Sequence, residues 1–492
     1  MRTLWNSSNS LNIAVLHHER GDLQVPESNV SQDPQQSTLS KAIAEMTQPF
    51  KDLVHASRAL WAINLSYMLE GLTYFGVLTL LAIFFNKQLG LNDIEADHSV
   101  GFLTWGITLA MLFLGATVDI IGPRRALLIS LACMLVGRVL LTVSPDILPG
   151  YGLYSPPHLI ALAALAWVIL GYGIYQPACY SAVKQFSSPK TSAMGYAMLY
   201  ALMNLGSFLP GLVSPPVRGL FGIQGVFWVY VGATVAGIGV IAFLLTKKTV
   251  EKARAEAVAE GAEEQTVEEK KPLKEQIRFY ATNLPRDLRF WFFIVILMPV
   301  QTLFAHNWLT LPQYCSRAFV GTVQDNFETF VNLNPLFIFI FTPIITALTI
   351  KRNTYTMMIV GTLVMAVPTF LLSLGPSMTT LIAFQVFMTL GEAIWSARFL
   401  GWIVEIAPPK MSGIYMGIGQ IPWFFTKFVT SLYAGWFLMH YCPDNVPPSQ
   451  MHTESMWFIY ALIAMITPVG LILARKWMMK GFKSRHDEVL AQ

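Results

Sequence analysis

The sequence predicts an all-α integral membrane protein whose twelve transmembrane helices form two pseudo-symmetric six-helix bundles. Three observations predict it. Of the 492 residues, 54% are hydrophobic and 13% charged, against about 25% charged in an ordinary soluble chain. Twelve apolar runs each reach the roughly 20 residues that a helix needs to cross a hydrocarbon core about 30 Å thick. The runs fall six and six about one polar linker, the pattern of a duplicated transporter. With a mean hydropathy of +0.50, the chain has too few charges to cover a soluble surface, and its net charge of +4 is too small to track phosphates. Soluble enzymes, disordered scaffolds and nucleic-acid binders are thereby excluded.

Residues 1–58 are rich in Ser, Asn, Gln and Asp and lack both apolar periodicity and the basic-then-apolar layout of a cleaved leader, so they read as a disordered cytoplasmic tail. The apolar spans follow at 59–85, 99–121, 126–144, 158–182, 193–216, 222–246, 289–311, 327–350, 354–375, 379–406, 412–438 and 455–477. Residues 59–246 form the first bundle and 289–477 the second. Between them, 247–288 runs from Lys247 and Lys248 through Glu- and Ala-rich sequence to Lys270, Lys271 and Pro272. It reads as a solvated, part-helical cytoplasmic linker without an apolar face. Residues 478–492 form a second cytoplasmic tail.

Orientation follows from the basic residues beside the spans. Arg124 with Arg125, Lys184 with Lys190, the linker lysines, Lys351 with Arg352, and Lys410 follow the even-numbered spans. The connections after spans three, nine and eleven hold no Lys or Arg, and the one after span one holds Asp93, Glu95 and Asp97 against Lys87. Both termini are predicted to be cytoplasmic, in a plasma (inner) membrane, which leaves the sequons at Asn6 and Asn29 on the side without glycosylation. Cys133 and Cys179 lie inside apolar runs. Cys315 and Cys442 share the opposite side, where a bridge between them is one of two open readings.

No phosphate-binding loop, paired-cysteine metal spacing or His-Glu-x-x-His is present, so neither metal nor cofactor is predicted and an enzyme is the least favoured class. Ionisable residues inside apolar spans are costly and mark functional candidates: Glu70, Arg138, His306, Glu392, Arg398, Glu405 and Lys427. Asn64, Tyr67, Glu70 and Tyr74 follow at steps of three, three and four on one helix stripe. Glu70 either titrates or binds a cationic group, or it positions a neighbouring helix through a hydrogen bond. Tyr196, Tyr200, Asn204 and Ser207 make a similar stripe, suited to hydrogen-bonding a peptide-like backbone or to gluing helices. Tyr172, Tyr175, Gln176 and Cys179 share a face interrupted at Pro177. Glu392 lies near midspan with Ser396 one turn away, so one carboxylate per half, Glu70 and Glu392, can meet at a central cavity. Arg398 and Glu405 read as a structural ladder, and Lys427 as a charge partner or a snorkelling residue.

The run Gly115-Ala-Thr-Val-Asp119-Ile-Ile-Gly122-Pro-Arg124-Arg125 reads as a cytoplasmic turn at Gly122 with Asp119 clamping Arg125 or capping the next helix. It resembles the loop motif of the major facilitator superfamily, which implies that fold and alternating access. Within that superfamily the chain is most similar to the proton-dependent oligopeptide transporters over most of 60–440. The stretches that carry this are Gly171-Tyr-Gly173-Ile-Tyr-Gln176-Pro177, Tyr200-Ala-Leu-Met-Asn204-Leu-Gly206-Ser207, Asn334-Pro335, and Gly391-Glu392 with Ser396 and Ala407-Pro408. The family's first-helix motif, Glu-x-x-Glu-Arg-Phe-x-Tyr-Tyr-Gly, meets Tyr67-Met-Leu-Glu70-Gly71-Leu72-Thr-Tyr74-Phe75-Gly76. Its first Glu is Tyr67, its Arg is Gly71, and the family's fourth-helix Lys is Gln176.

The resemblance implies a transporter of di- or tripeptides or peptide-like compounds, coupled to protons. Substrate contacts are expected from Tyr74, Gln176, Tyr200, Asn204, Asn334, Glu392 and Ser396. Proton coupling is expected from Glu70 or Glu392, and gating from Gly115, Asp119, Gly122, Arg124 and Arg125. The partners expected are a small solute, protons and the lipid bilayer, without nucleic acid, and the protein is expected to act as a monomer. A proton-antiporting exporter and a non-transporting receptor of the same fold are the rival readings.

Overall fold

The computed structural model describes residues 57–115, 117–187, 192–259, 288–349, 352–406, 419 and 421–480. Among these residues there are helices and no β-strand. Most of the tail expected over 1–58, the linker beyond Ala259 and the chain after Lys480 lie outside the described residues, as do Ala407, Pro408 and Lys410.

We number the membrane-crossing helices α1 to α12. Helix α1, Arg58–Leu89, starts where the Ser57 hydroxyl accepts from the amide of Leu60 and stops at Gly90, which takes φ 73°. Helix α2, Asp93–Leu114, opens on a capping box in which Asn92 and Glu95 satisfy each other's amides. Gly122, at φ 79°, turns the chain into α3, Pro123–Ile147, with proline at its first position. Ser155 caps α4, Pro156–Phe186.

One stretch of helix, Gly195–Leu244, is 50 residues long, about 75 Å at 1.5 Å per residue. No bilayer accommodates that in one crossing. The chain reverses at Gly222, whose φ of 69° and ψ of −173° are open only to glycine. Ser214 and Tyr230, each eight residues from Gly222, meet across the reversal with their hydroxyls 2.6 Å apart. The stretch therefore contains α5, Ser192–Phe208 continued through 210–221, and α6, 223–244. The segment Lys247–Ala259 continues as a helix, as expected of the linker, but it does own an apolar face: Ala253 and Ala257 are buried, one turn apart. Two methyl groups suffice to seat it.

The second half repeats the count. Helix α7, Leu288–Leu309, leads through the short helices Leu311–Ala318, Thr322–Asp325 and Phe327–Val331 into α8, Leu333–Thr349. Helix α9, Thr354–Ala366, tightens to a 3₁₀ turn over Val367–Leu374, where Pro368 removes an amide. Helices α10, Met378–Ile406, α11, Ile421–Tyr441, and α12, Thr453–Met479, complete the twelve.

Small residues bring helices into backbone contact within each half. A Cβ on Gly206 of α5 would lie 2.1 Å from the carbonyl oxygen of Met68 on α1, and one on Gly391 of α10 would lie 2.6 Å from that of Gly361 on α9. Every ion pair that links the first six helices to the last six, among the described residues, lies at one end of the bundle, opposite the linker helix. There Arg317 reaches Asp93 at 2.7 and 2.8 Å, Arg218 reaches Glu328, and Lys87 reaches Asp444. Gly435 of α11 closes tightly on the backbone of Asp93 at this same far end.

Candidate functional site

The residues predicted for the site fall into two groups. In the first half, Glu70 points into the bundle rather than along a shared open face with Tyr74. Its carboxylate accepts from Arg138 of α3 at both oxygens, one contact being 2.9 Å, and from the Thr73 hydroxyl at 3.1 Å. Arg138 also donates to the Thr234 hydroxyl on α6 at 2.6 Å. Glu70 and Arg138 are 2% and 3% exposed, so this is a buried, bidentate pair joining α1, α3 and α6. Its charges are used up inside the half.

Tyr74 turns instead to Tyr172 of α4, the rings 4.8 Å apart. Tyr67, standing where the resembled family has a glutamate, stacks on Tyr175 at 6.1 Å, and the Tyr175 hydroxyl lies 2.8 Å from the Ser66 hydroxyl. Gln176 is half-buried beside Tyr180, whose ring stacks on Tyr196 at 5.9 Å. An aromatic wall of Tyr67, Tyr74, Tyr172, Tyr175, Tyr180 and Tyr196 thus lines this part of the first half.

The second group spans the seam between halves. Asn334 of α8 donates to the Glu392 carboxylate at 2.7 Å and to the Thr389 hydroxyl at 3.0 Å, both on α10. Tyr200 of α5 is half-exposed and lies within electrostatic reach of Glu392, near Asn204 and Thr342. Asn204 donates to the Tyr200 carbonyl oxygen at 2.9 Å. Tyr200, Asn204, Asn334 and Glu392 are therefore brought together from three helices, α5, α8 and α10. Ser396 stays half-buried one turn from Glu392. Phe75 of α1 meets Trp308 of α7 at 5.0 Å, and Trp105 of α2 stacks on Phe428 of α11 at 5.1 Å. Around Tyr200 and Asn334 the seam holds hydroxyls, amides, rings and the Glu392 carboxylate, a lining able to hydrogen-bond amide groups and receive a cation.

At the linker end, the contact expected between Asp119 and Arg125 is not made: both side chains are exposed, and no side chain caps α3. Arg124 is the engaged residue, its Nε donating to the carbonyl of Leu245 at the end of α6 at 2.6 Å. Gly115 ends α2 with a right-handed conformation, and Gly122 makes the turn. The bridge between Cys315 and Cys442 is absent; both are free and buried, and the Cys442 thiol lies 3.8 Å from the Met451 sulfur. The side chains of Arg398 and Glu405 lie outside the described residues.

Sequence reasoning passed over the far-end ion pairs because their residues lie between the apolar runs or, for Glu328, at the very start of one. It noted Arg138 without giving it Glu70, since 68 residues separate them. The signal available was only that two opposite charges occurred in spans of the same half. Asp97, one turn after Asp93, is fully buried with neither carboxylate oxygen hydrogen-bonded.

Comparison with known proteins agrees with this architecture. Dipeptide and tripeptide permease B of Salmonella typhimurium is 24% identical over 201 residues, 39% of this chain and 37% of the permease. The permease B of Yersinia enterocolitica is 27% identical over 184 residues, 36% of this chain and 33% of the permease. The chain thus matches little more than a third of these curated relatives' length. A solved structure of a mutant of the peptide transporter POT with alafosfalin has a TM-score of 0.67 at 18% identity, covering 87% of this chain and 96% of that one. A POT family transporter with 5-aminolevulinic acid has a TM-score of 0.63 at 15% identity, covering 86% and 97%. The likeness of these structures is one of fold. The Major Facilitator Superfamily model matches residues 63–319, more than half of the chain, and together with the twelve helices in two halves it makes this protein a member of the major facilitator superfamily.

Proposed function

We propose that the protein is a secondary transporter that moves a small peptide or peptide-like solute by alternating access, with proton coupling through Glu392. The observation that carries this reading is the Asn334-bound Glu392 carboxylate at the seam, facing Tyr200 of the other half. A carboxylate at that depth with an amide donor but no cationic partner among the described residues is costly unless it exchanges protons or meets a cation, and both are what a coupled carrier of amino-bearing solutes requires. The relatives named for dipeptides and tripeptides support the substrate class.

On this reading the far end faces outward, because the basic loops lie at the linker end. The ion pairs Arg317 with Asp93, Arg218 with Glu328 and Lys87 with Asp444 then hold the outer side shut, and no ion pair crosses the seam at the linker end among the described residues. The arrangement is that of a carrier closed to the outside. Glu70, held by Arg138 and Thr73, acts with Arg138, itself anchored to Thr234, as an internal brace of the first half.

Dipeptide uptake by the purified protein in proteoliposomes tests the proposal. Accumulation driven by an inward proton gradient is expected in the wild type, and the Glu392→Gln variant is expected to equilibrate the dipeptide without accumulating it. Absence of any peptide movement by the wild type would discard the peptide reading in favour of an exporter of other solutes.

A further inference from the structure

Helix α11 carries a lysine in its interior face. Phe425, Leu432, Trp436 and Met439, spaced by seven, four and three residues, are exposed and mark the lipid side. Trp423, Lys427, Thr430 and Ala434, spaced by four, three and four, form the opposite stripe, and Thr430 and Ala434 are fully buried. Lys427 therefore points into the protein. It begins about 9 Å along the helix from Ile421 at 1.5 Å per residue, on the side away from lipid headgroups, so it does not snorkel.

No acid pairs with Lys427 among the described residues, and the cation of the first half, Arg138, is already held by Glu70. The depth of Lys427 is set by ring contacts. Trp423 stacks on Trp395 of α10, centroids 5.7 Å apart and 14° between planes, and meets Phe304 of α7 at 5.2 Å. Glu392 precedes Trp395 by three residues, and Lys427 follows Trp423 by four. Because α10 and α11 run in opposite directions, both charges lie one turn beyond the same ring stack, toward the far end. They share a level of the membrane without pairing.

We propose that Lys427 receives the carboxylate of the transported solute while Glu392 takes the amino end. The inference rests on the peptide reading and deepens it. The substrates it selects are small zwitterions with a free carboxylate, and the cation that holds them comes from the second half. An amidated or esterified peptide presents no charge to Lys427 and loses that contact.

The test compares binding of dialanine and dialanine amide to the purified full-length protein by competition, for wild type, Lys427→Met and Lys427→Arg. The wild type is expected to prefer the free acid by about ten- to a hundredfold, the range of a charge-assisted hydrogen bond. Lys427→Met should lose that preference by weakening dialanine alone, and Lys427→Arg should keep it. A thermal melt of Lys427→Met at or above the wild-type midpoint shows that the variant is folded. Retained preference in Lys427→Met, or an equal loss for both ligands, overturns the role of Lys427 while leaving the peptide reading intact. A wild type that binds neither ligand overturns the peptide reading and this assignment together.

Discussion

Arg138 of α3 holds Glu70 of α1 through both of its terminal nitrogens, in a site where the two residues are 3% and 2% exposed. Thr73 and Thr234 complete the hydrogen bonding. Removing one member strands the other charge in apolar surroundings. Arg138→Met is therefore expected to destabilise the folded protein by about 3–5 kcal/mol, whereas Arg138→Met with Glu70→Leu recovers most of the loss. Thermal unfolding in detergent of both variants checks this.

The far-end pairs differ in worth because they differ in burial. Arg317 and Asp93 are both nearly buried, while the side chains of Lys87 and Asp444 are 51% and 32% exposed. Asp93→Asn should open the far end, lengthening the distance between spin labels at Gln88→Cys and Ser449→Cys in a background lacking the native cysteines. Lys87→Ala should leave that distance unchanged, as exposed pairs contribute only about 0–1 kcal/mol.

Asp97 makes the contrasting case within the same helix turn. Neither of its oxygens has a hydrogen-bond partner, so Asp97→Asn removes a carboxylate that no group compensates. Its melting temperature is expected to match or exceed that of the wild type, where Asp93→Asn falls below it.

Asn334 is the residue that fixes the Glu392 carboxylate, at 2.7 Å. Asn334→Ala leaves Glu392 without that donor and is expected to lower kcat/KM for dipeptide uptake about tenfold, the worth of one hydrogen bond to a charged group. Initial uptake rates in proteoliposomes across a concentration series measure it.

The twelve spans were legible because crossing a bilayer imposes length and apolarity on each of them, and the turn at Gly122 was visible as a glycine between apolar runs. The partners were not. A stripe such as Asn64, Tyr67, Glu70 and Tyr74 fixes one helix face but not which neighbour that face meets; a few tens of degrees of rotation sent Glu70 to α3 and Tyr74 to α4. Glu392 was singled out for its chemistry and Asn334 through the family resemblance, and only the packing of α8 on α10 joins them. Arg317 escaped notice because it lies between apolar runs, and Glu328 because it is the second residue of its run, where a charge reads as the solvated end of a span, although both are buried.

The glycine contacts and the ring contacts have different mechanics. Where Gly206 meets the backbone of Met68, and Gly391 that of Gly361, two backbones touch and neither can slide without collision. Inward of the far-end ion pairs, the seam between halves also holds ring contacts, Phe75 on Trp308 and Trp105 on Phe428, whose attraction changes little with small changes in angle. Each half is thus welded internally and greased at the joint. On the proposed alternating access, each half would turn about that joint as a block, and the load would fall on the ion pairs at its rim.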